Sequence, residues 1–350
     1  MPADSARTTI TRELVKGLAA ECGFELAGIT AAEPSPDRER YLSWVERGMA
    51  GAMSYLTDRR AHVRTDPKLL LPSARSILCV GKLYNTRQPY STEFDDAGCG
   101  WISRYAWGKD YHRVLRRGLG RLVELLQKYA TFDWKICVDT APLLERSYAQ
   151  QAGLGWIGKN TCLINQQMGS WVFLGEVVTS LEIEADAPPP NRCGTCTRCI
   201  EACPTEAIVP SGDGWALDAR LCISYFTIEL RGSIPEEHRN QLGSHIFGCD
   251  ICQDVCPWNR RAPVTGEADF APEHFAPPLE ELGQLSAEDV HRSCEDSPLA
   301  RARYTGLLRN VAVAMGNSGL PKFRQPLERL AFSQDEQVAE HARWALGRIE

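Results

Sequence analysis

The sequence has no uninterrupted apolar run of the roughly 18 residues that a membrane-spanning helix needs. Its N-terminal stretch, MPADSARTTITRELVKGLAAECG, contains neither the apolar core of a secretion signal nor paired arginines. Without a secretory context, the fourteen cysteines are not expected to form a disulfide framework. The sequence therefore predicts a cytoplasmic protein, and its 350 residues are enough for two or three domains.

The chain also lacks an excess of basic residues, because its formal net charge is −6. A surface that binds nucleic acid over its whole area is therefore excluded, whereas a local basic patch is not. Arginine is concentrated in residues 112–121 and 299–310. Such runs are often solvated helix faces, and contact with a polyanion is the alternative. The candidates for that contact are Arg116, Arg117, Arg301 and Arg303.

A dinucleotide-binding loop is absent in spite of a matching glycine pattern. Gly153, Gly155 and Gly158 have the G-x-G-x-x-G spacing, but such a loop must follow a strand and begin a helix. Here a helical segment precedes the glycines, and strand-forming residues follow them. We interpret the loop as a helix-to-strand connection.

Eight of the fourteen cysteines lie between Cys193 and Cys256. The segment NRCGTCTRCIEACP follows the C-x2-C-x2-C-x3-C-P pattern of bacterial two-cluster ferredoxins. Its two-residue gaps let three thiolates bind one face of a cubane, whereas Cys203 lies on the next helical turn and faces away. The segment GCDICQDVCP and the isolated Cys222 supply the remaining ligands.

Exchange of the cysteine before each proline then gives two complete sets. One [4Fe-4S] cluster is predicted to be held by Cys193, Cys196, Cys199 and Cys256, and the other by Cys203, Cys222, Cys249 and Cys252. Zinc is the alternative, but it usually takes two well-separated cysteine pairs. The other cysteines are interpreted as small buried apolar residues. They are Cys22, Cys79, Cys99, Cys137, Cys162 and Cys294.

Helical and strand patterns alternate before the cysteines, which is typical of an α/β layer. The segments FELAGIT, SILCVGKLY and DWKICV are predicted strands, and DYHRVLRRGLGRLVELLQKY is a predicted amphipathic helix. Asp139 follows the third strand. Because ligands in open α/β sheets bind at such strand ends, Asp139 is a candidate proton donor or acceptor. The alternative, that Asp139 caps a helix beginning near Pro142, stays open.

Proline-rich segments predict two boundaries, at EADAPPPN, residues 184–191, and after Trp258. Beyond the second boundary, LLRNVAVAMGNSG and EHARWALGRIE share an A-[ML]-G ending, with a helical segment between them. This pattern indicates a short HEAT-type repeat. A plain helical tail is the alternative.

Four long segments together resemble the epoxyqueuosine reductase family: ISRYAWGKDYH, VDTAPLLERSYAQQAGLGWIGKN, NRCGTCTRCIEACP and FGCDICQDVCPWN. The resemblance extends from about residue 10 to the final helices. It implies an α/β N-terminal cobalamin-binding domain, a ferredoxin-like module with two [4Fe-4S] clusters and a short α-helical HEAT-like C-terminal region. With the boundaries above, these are residues 1–186, 187–262 and 263–350.

The same resemblance implies a reaction. Single electrons from an external low-potential donor pass through the two clusters to a base-off cobalamin. The epoxide oxygen of epoxyqueuosine in tRNA then leaves as water, and queuosine results. In such a cofactor enzyme the protein supplies placement and protons.

Site residues are implied position by position. Asp139 matches the family's proton donor. The residues that match corrinoid-lining positions are Arg64, Ser103, Asp139, Leu163, Leu174, Ser224 and Asp250. Ser103 stands where some relatives have a cysteine near cobalt. The glycine loop resembles the segment that leads into a corrinoid-lining strand, and Lys159 and Asn160 are expected to contact the propionamide groups or the tRNA.

Two alternative functions remain at this point. One is a two-cluster electron-transfer module without turnover of its own. The other is a dehalogenase-like corrinoid reductase, although its respiratory members usually carry a twin-arginine signal. The histidine-ligating motif D-x-H-x-x-G is absent, since Leu115 stands where the glycine is required.

Overall fold

The computed structural model describes residues 10–349. Its strands are β1 Leu26–Ala31, β2 Ser76–Leu83, β3 Trp101–Ile102, β4 Trp134–Cys137, β5 Trp156–Ile157, β6 Leu163–Ile164, β7 Val172–Thr179, β8 Ile208–Ser211, β9 Gly214–Leu217 and β10 His245–Phe247. The three strands predicted before the cysteines are β1, β2 and β4, and all three predictions are confirmed.

Fourteen α-helices accompany these strands in the described residues. They are α1 Arg12–Glu21, α2 Arg38–Glu46, α3 Ser54–Thr57, α4 Arg60–Arg64, α5 Tyr111–Leu126, α6 Glu145–Gln151, α7 Arg198–Glu201, α8 Glu236–Arg239, α9 Ile251–Asp254, α10 Leu279–Leu282, α11 Ala287–Cys294, α12 Arg303–Ser318, α13 Arg324–Ala331 and α14 Glu336–Leu346. None of the helices in this part of the chain is long and apolar enough to cross a membrane.

The main sheet has four strands in the order β1-β2-β7-β4, and all its pairs are antiparallel. The mixed α/β character is confirmed, but the rule that ligands bind at strand ends of open, largely parallel α/β sheets does not apply. The sequence could not reveal this difference. Every residue of β2 is buried, and a strand covered on both faces reads as a continuous apolar run in either orientation.

Helices cover both faces of this sheet. On one face lies α5, which begins where the Asp110 carboxylate accepts a hydrogen bond from the His112 backbone N–H at 2.9 Å. Its apolar stripe packs with α1 against β2 and β7. The buried members of that stripe are Val114, Leu115, Leu119, Leu122, Val123 and Leu126. The opposite face is covered by α6.

A second core joins segments that are far apart in sequence. Trp101 and Trp107, which precede α5, pack in one hydrophobic cluster with Phe247 of β10 and with helices α12 to α14. In addition, β3 pairs in parallel with β10. The C-terminal helices therefore pack on both the N-terminal region and the cysteine-rich region, and the packing crosses both boundaries expected from the sequence.

Helix α12 fixes a π-helical turn, Tyr225–Glu229, that follows Cys222. The buried Arg309 guanidinium donates to the Phe226 carbonyl at 2.6 Å, and the Asn310 amide donates to the Thr227 carbonyl at 2.8 Å. Buried polar groups of this kind hold a segment strongly, because a lost partner leaves an unsatisfied donor or acceptor.

Two glycine substitutions test the packing of the sheet. A Cβ at Gly28 in β1 would lie 1.9 Å from the Ala152 carbonyl oxygen. Because backbone blocks that space, we expect Gly28→Ala to destabilise the protein by about 1–3 kcal/mol and to lower the midpoint of thermal unfolding. Gly17→Ala in α1 is the control, since nothing lies within 4 Å of its Cβ position. An unchanged midpoint for Gly28→Ala would contradict the observed approach of α6 to the sheet.

Candidate active site and iron-sulfur centres

Four cysteines from two distant segments border one cavity of ≈360 Å³. They are Cys193, Cys196, Cys199 and Cys256, the set expected for the first cluster. A single zinc ion would require four sulfur atoms at only about 2.3 Å from one point. Within residues 10–349, no group of three or more His, Cys, Asp and Glu side chains has the spacing to hold a single metal ion. The wider separation of these cysteines fits a polynuclear cluster.

The second set of cysteines is also brought into one place. Burial raises the pKa of the Cys249 thiol, and the nearby Cys222 and Cys203 raise it further. The pKa of Cys252 is likewise raised by burial and by Cys249 and Cys222, after a larger effect of Cys162. Such mutual effects require the sulfur atoms to be close neighbours. The structure thus assembles Cys203 and Cys222 with the two cysteines that flank Asp250.

Cys162 lies between the two sets. The Cys162 and Cys252 thiols are close enough to shift each other's pKa, and Cys162 also affects the pKa values of Cys199 and Cys256. The interpretation of all six non-cluster cysteines as buried apolar residues is therefore only partly right. Cys79, Cys137 and Cys294 are buried, whereas Cys22, Cys99 and Cys162 are partly exposed.

The glycine loop contacts the cluster segments. The Lys159 ammonium donates to the carbonyls of Gly194 and Cys196, both at 2.9 Å, and the Asn160 amide donates to the Cys252 carbonyl at 3.3 Å. The expected contact of Lys159 and Asn160 with the propionamide groups or the tRNA stays a prediction. Their polar groups are used to hold two cysteine segments against the loop. The loop itself connects α6 to β5, as predicted.

Asp139 lies in a bend after β4, with its side chain 50% exposed. Its φ of 47° falls in the left-handed region, which a non-glycine residue adopts only under constraint. The next helix, α6, begins at Glu145 and not near Pro142. The alternative role of Asp139 as the cap of that helix is therefore wrong. The Asp139 carboxylate instead contacts a side chain of α5.

The partner of Asp139 is His112, at the first turn of α5. One ring nitrogen, Nε2, lies 3.1 Å from Asp139 Oδ2, and the other, Nδ1, lies 2.7 Å from Asp110 Oδ1. Burial disfavours the charged imidazole, but the two carboxylates outweigh that effect and raise the pKa of His112 to about 9. His112 is therefore positively charged at neutral pH and bridges two carboxylates.

The proton of this pair belongs to the histidine at neutral pH. Burial favours protonation of Asp139, but hydrogen bonds from His112 and Tyr111 outweigh it and lower the pKa of the carboxyl. The Tyr111 ring is held by stacking on Phe173 of β7, with ring centroids 4.3 Å apart. Strand β7 therefore positions Tyr111, and Tyr111 in turn helps to position Asp139.

Aromatic hydroxyls and a buried acid surround the bend. Burial raises the pKa of Tyr55 to about 12, with a contribution from Asp139. The pKa of Tyr105 is raised by burial and by both Asp139 and Asp250, so this ring lies near both carboxylates. Burial and the charge of Asp139 also raise the pKa of Glu145 to about 7. These groups lie near Asp139, and the region around the bend, which we call the Asp139 cleft, therefore contains several potential proton donors.

Arg64 holds the Asp139 bend from the other side. Its guanidinium donates to the Ala141 carbonyl at 3.3 Å, and its own carbonyl accepts the Leu144 N–H at 3.2 Å. The guanidinium Nε is buried and has no partner within residues 10–349. Arg64 therefore restrains the bend and still carries one free donor.

Ser103 and Asp250 lie together on the side of the second cysteine set. The buried Ser103 hydroxyl donates to Asp250, and the Arg104 backbone N–H donates to the same carboxylate at 2.7 Å. The Ser103 hydroxyl is thus already hydrogen-bonded to the Asp250 carboxylate. Because Asp250 lies between Cys249 and Cys252, this contact ties a cluster segment directly to the segment after β3.

The remaining predicted residues are divided between two places. Leu163 and Leu174 share one hydrophobic cluster on the face of the sheet that α6 covers. Ser224 lies at the start of the π-helical turn, where its backbone N–H hydrogen-bonds the Cys222 sulfur. The structure therefore brings Leu163 and Leu174 together but places Ser224 with the second cysteine set.

The four candidate arginines for polyanion contact differ in their pairing. Arg117 pairs with Asp269 at 2.8 Å, and Arg301 forms a two-point ion pair with Glu229 at 3.0 and 2.9 Å. Arg116 and Arg303 are exposed and have no carboxylate partner in the described part of the chain. Arg303 also has a φ of 60°.

Comparison with known proteins decides the family. Over 341 aligned residues the chain is 40% identical to an epoxyqueuosine reductase of Xanthomonas campestris pv. campestris. The alignment covers 95% of each of the two chains. The chain belongs to the epoxyqueuosine reductase family. The profile of the family described as epoxyqueuosine reductase QueG, DUF1730 matches residues 64–140. The profile of the 4Fe-4S double cluster binding domain matches residues 192–259, so the expectation of two iron-sulfur clusters is confirmed.

Two solved structures of epoxyqueuosine reductases have the same fold. One is a complex with an epoxyqueuosine-modified tRNA-Tyr stem loop; it is 29% identical, has a TM-score of 0.87 and covers 96% of this chain and 89% of its own. The other is from Bacillus subtilis, with a catalytic aspartate loop swung out of the active site. It is 27% identical, with a TM-score of 0.76 and coverage of 97% and 98%.

Sequence reasoning missed several residues that surround Asp139. His112 was considered only as a cobalt ligand and set aside, although Asp110 and His112 in the pattern D-x-H already indicated a carboxylate–histidine pair. Tyr55, Tyr105 and Glu145 gave no local signal. They reach the cleft from segments whose positions depend on tertiary packing.

The His112 pair gives a pH prediction. Because folding raises the pKa of His112 from an ordinary value of 6.5 to about 9, its contribution to stability is complete below about pH 6.5 and is lost as the pH rises to about 9. We expect NMR titration to give a His112 pKa near 9 in the wild type and a lower value in Asp139→Asn. A wild-type pKa at or below 6.5 would contradict the observed contacts.

Proposed function

We propose that this chain reduces epoxyqueuosine to queuosine in tRNA. The observation that carries the proposal is the Asp139–His112 pair, in which a half-exposed carboxylate lies 3.1 Å from a histidine ring nitrogen. The same chain carries the double cluster domain, so the proposal joins a proton-carrying pair and electron-carrying clusters in one reaction. Since tRNA maturation is a cytoplasmic process, the reaction belongs in that compartment.

The chemistry requires both kinds of group. Conversion of an epoxide to an alkene and water consumes two electrons and two protons. The oxygen leaves easily only when it is protonated, so a positioned acid is needed. In the proposed site Asp139 faces the substrate and passes on the proton that His112 holds. Asp110 keeps the imidazole oriented, and solvent replaces the proton afterwards.

Cobalamin is the proposed second cofactor. When bound, it would supply a low-valent cobalt that delivers the electrons received from the clusters. Its flat corrin carries amide side chains, which need hydrogen-bond donors and acceptors at its rim. The residues proposed to line it are Arg64, Ser103, Asp139, Leu163, Leu174, Ser224 and Asp250.

Unpartnered polar atoms near these residues fit such a ligand. The buried Arg64 Nε has no partner within the described residues, and neither has either carboxyl oxygen of the buried Glu176. Glu176 lies two residues after Leu174 on β7, so both side chains point to the same face of the sheet. Buried polar groups in proteins are nearly always hydrogen-bonded. A ligand with amide groups at its rim would satisfy them.

The proposed clusters are those derived from the cysteine spacing. Cys193, Cys196, Cys199 and Cys256 hold the first cluster, and Cys203, Cys222, Cys249 and Cys252 hold the second. The proposed domains are residues 1–186, which bind cobalamin, residues 187–262, which bind the clusters, and residues 263–350, a HEAT-like helical region. The packing of α14 on both α12 and α13 supports a helical stack in the last region.

Contact with tRNA is proposed at the rim of the cleft. Arg116 lies one helical turn after His112 and therefore on the same face of α5. Arg301 lies over the Tyr55 ring at 5.1 Å, and Arg303 follows two residues later. The two arginine runs thus flank the Asp139 bend from different elements, where they can bind the phosphates on either side of the modified base.

Replacement of the proposed acid tests the mechanism. We expect Asp139→Asn to lower the rate of epoxyqueuosine reduction by about 10²–10⁴-fold, because an amide cannot transfer the proton. The variant should retain about eight irons per chain and bound corrinoid, which spectra before and after dithionite would show. Asp213→Asn, an exposed aspartate in the β8–β9 turn, is the control. A wild-type rate in Asp139→Asn would refute the proposed role.

The arginines make a separate prediction. Each unpaired arginine that contacts a phosphate should weaken stem-loop binding when it is removed. It should also reduce the slope of log K against log salt by about 1. We expect this effect for Arg116→Ala and Arg303→Ala in anisotropy titrations at several salt concentrations. Arg117→Ala is the matched control, because Asp269 already neutralises Arg117. Unchanged slopes in both test variants would locate the RNA elsewhere.

A further inference from the structure

The two cysteine sets differ in their surroundings. Asp250, between two cysteines of the second set, is buried and accepts hydrogen bonds from Ser103 and Arg104. The first set borders an open cavity whose rim includes exposed Arg192 and Arg198. We call the first set the outer set and its cavity the outer cavity, because a partner molecule can approach the cysteines there.

The rim of the outer cavity is positively charged. Lys159, Arg192 and Arg198 all border it, and none has a carboxylate within 4.0 Å in the described part of the chain. Arg260 and Arg261 are exposed two and three residues after Trp258, which also borders the cavity. The whole chain has a net charge of −6, so this concentration of unpaired cations is a local feature. We call these five residues the basic rim.

The cations have two possible uses. A four-thiolate cluster is itself anionic, so cations close to it could offset its charge. The Lys159 ammonium is committed to two carbonyls of the cluster loop, which fits that use. Arg192 and Arg198, in contrast, are exposed and make no side-chain hydrogen bond within the described residues. Solvent screens exposed charges from the buried interior, so these two arginines are better placed to meet an approaching molecule.

We propose that the basic rim is the docking site of a small acidic protein that carries single electrons at low potential. The inference rests on the proposed function, because that reaction needs an electron entry point. In each encounter the carrier is oxidised by one electron and the first cluster is reduced by one. Because the reduction of one epoxide consumes two electrons, it requires two such encounters. RNA is the other polyanion that could bind there, but the rim surrounds the outer cluster and not the Asp139 cleft.

Transient kinetics with the cluster-loaded protein tests this directly. The probe is a reduced plant-type [2Fe-2S] ferredoxin, with a potential near −400 mV, mixed anaerobically with the wild type and with Arg192→Glu/Arg198→Glu. We expect the second-order rate of cluster reduction at low salt to fall at least ~10-fold in the double variant, because charge steering changes association rates by about 10–10³. The wild-type rate should fall steeply with salt, and the variant rate should not.

Two further measurements separate docking from damage. Affinity for oxidised ferredoxin, measured by calorimetry, should also weaken at least ~10-fold, and this does not depend on turnover. Iron content and reduction by dithionite should be unchanged. Arg329→Glu on α13, another exposed arginine without a carboxylate partner in the described residues, is the matched control.

Several outcomes would overturn the proposal. The first is an equal rate of cluster reduction by ferredoxin in the wild type and the double variant. The second is a wild type that accepts no electrons from ferredoxin at any salt concentration. A third is slower dithionite reduction of the double variant, which would assign the arginines to cluster stability. A fourth is loss of stem-loop binding with unchanged ferredoxin rates, which would assign the rim to RNA. None of these assays uses epoxyqueuosine, so the docking proposal and the proposed function can fail independently.

Discussion

The buried carboxylate of Asp250 connects the two halves of the chain. It accepts hydrogen bonds from the Ser103 hydroxyl and the Arg104 backbone N–H, while its neighbours Cys249 and Cys252 belong to the second cluster set. A buried carboxylate is stable only when such donors surround it. The position of the second cysteine set is therefore fixed by contacts with the segment after β3. This contact joins the cysteine-rich region to the N-terminal half.

Asp139 is held from three sides in a conformation that it would not adopt alone. Its φ of 47° is unfavourable for aspartate, and the surrounding contacts compensate. His112 binds its carboxylate, Tyr111 lies close enough to help lower its pKa, and Arg64 restrains the bend that carries it. The Bacillus subtilis relative shows that a catalytic aspartate loop in this family can leave the active site. In this chain the His112 contact holds the Asp139 carboxylate.

Local patterns were sufficient for the main elements and for the cysteine sets. Strands β1, β2 and β4 and helix α5 were predicted because each repeats apolar residues at its own period. Strand direction was not predictable, since β2 is buried on both faces. The contacts of Lys159 and Asn160 with the cysteine segments were not predictable for a related reason. A polar residue in a loop shows only that it can form hydrogen bonds, and the partner is chosen by the segments that fold against it.

The sequence by itself determined that two iron-sulfur clusters are present, because cluster ligation depends on thiolates at short and fixed spacings along the chain. It also identified the family, through long motifs in a constant order. Only the tertiary structure decided that His112 bridges Asp110 and Asp139, that Cys162 lies between the cysteine sets, and that unpaired cations collect around the outer one. These relations join residues from distant segments. Their distances follow from how the sheet, the helices and the cysteine-rich segment pack, which no local spacing specifies.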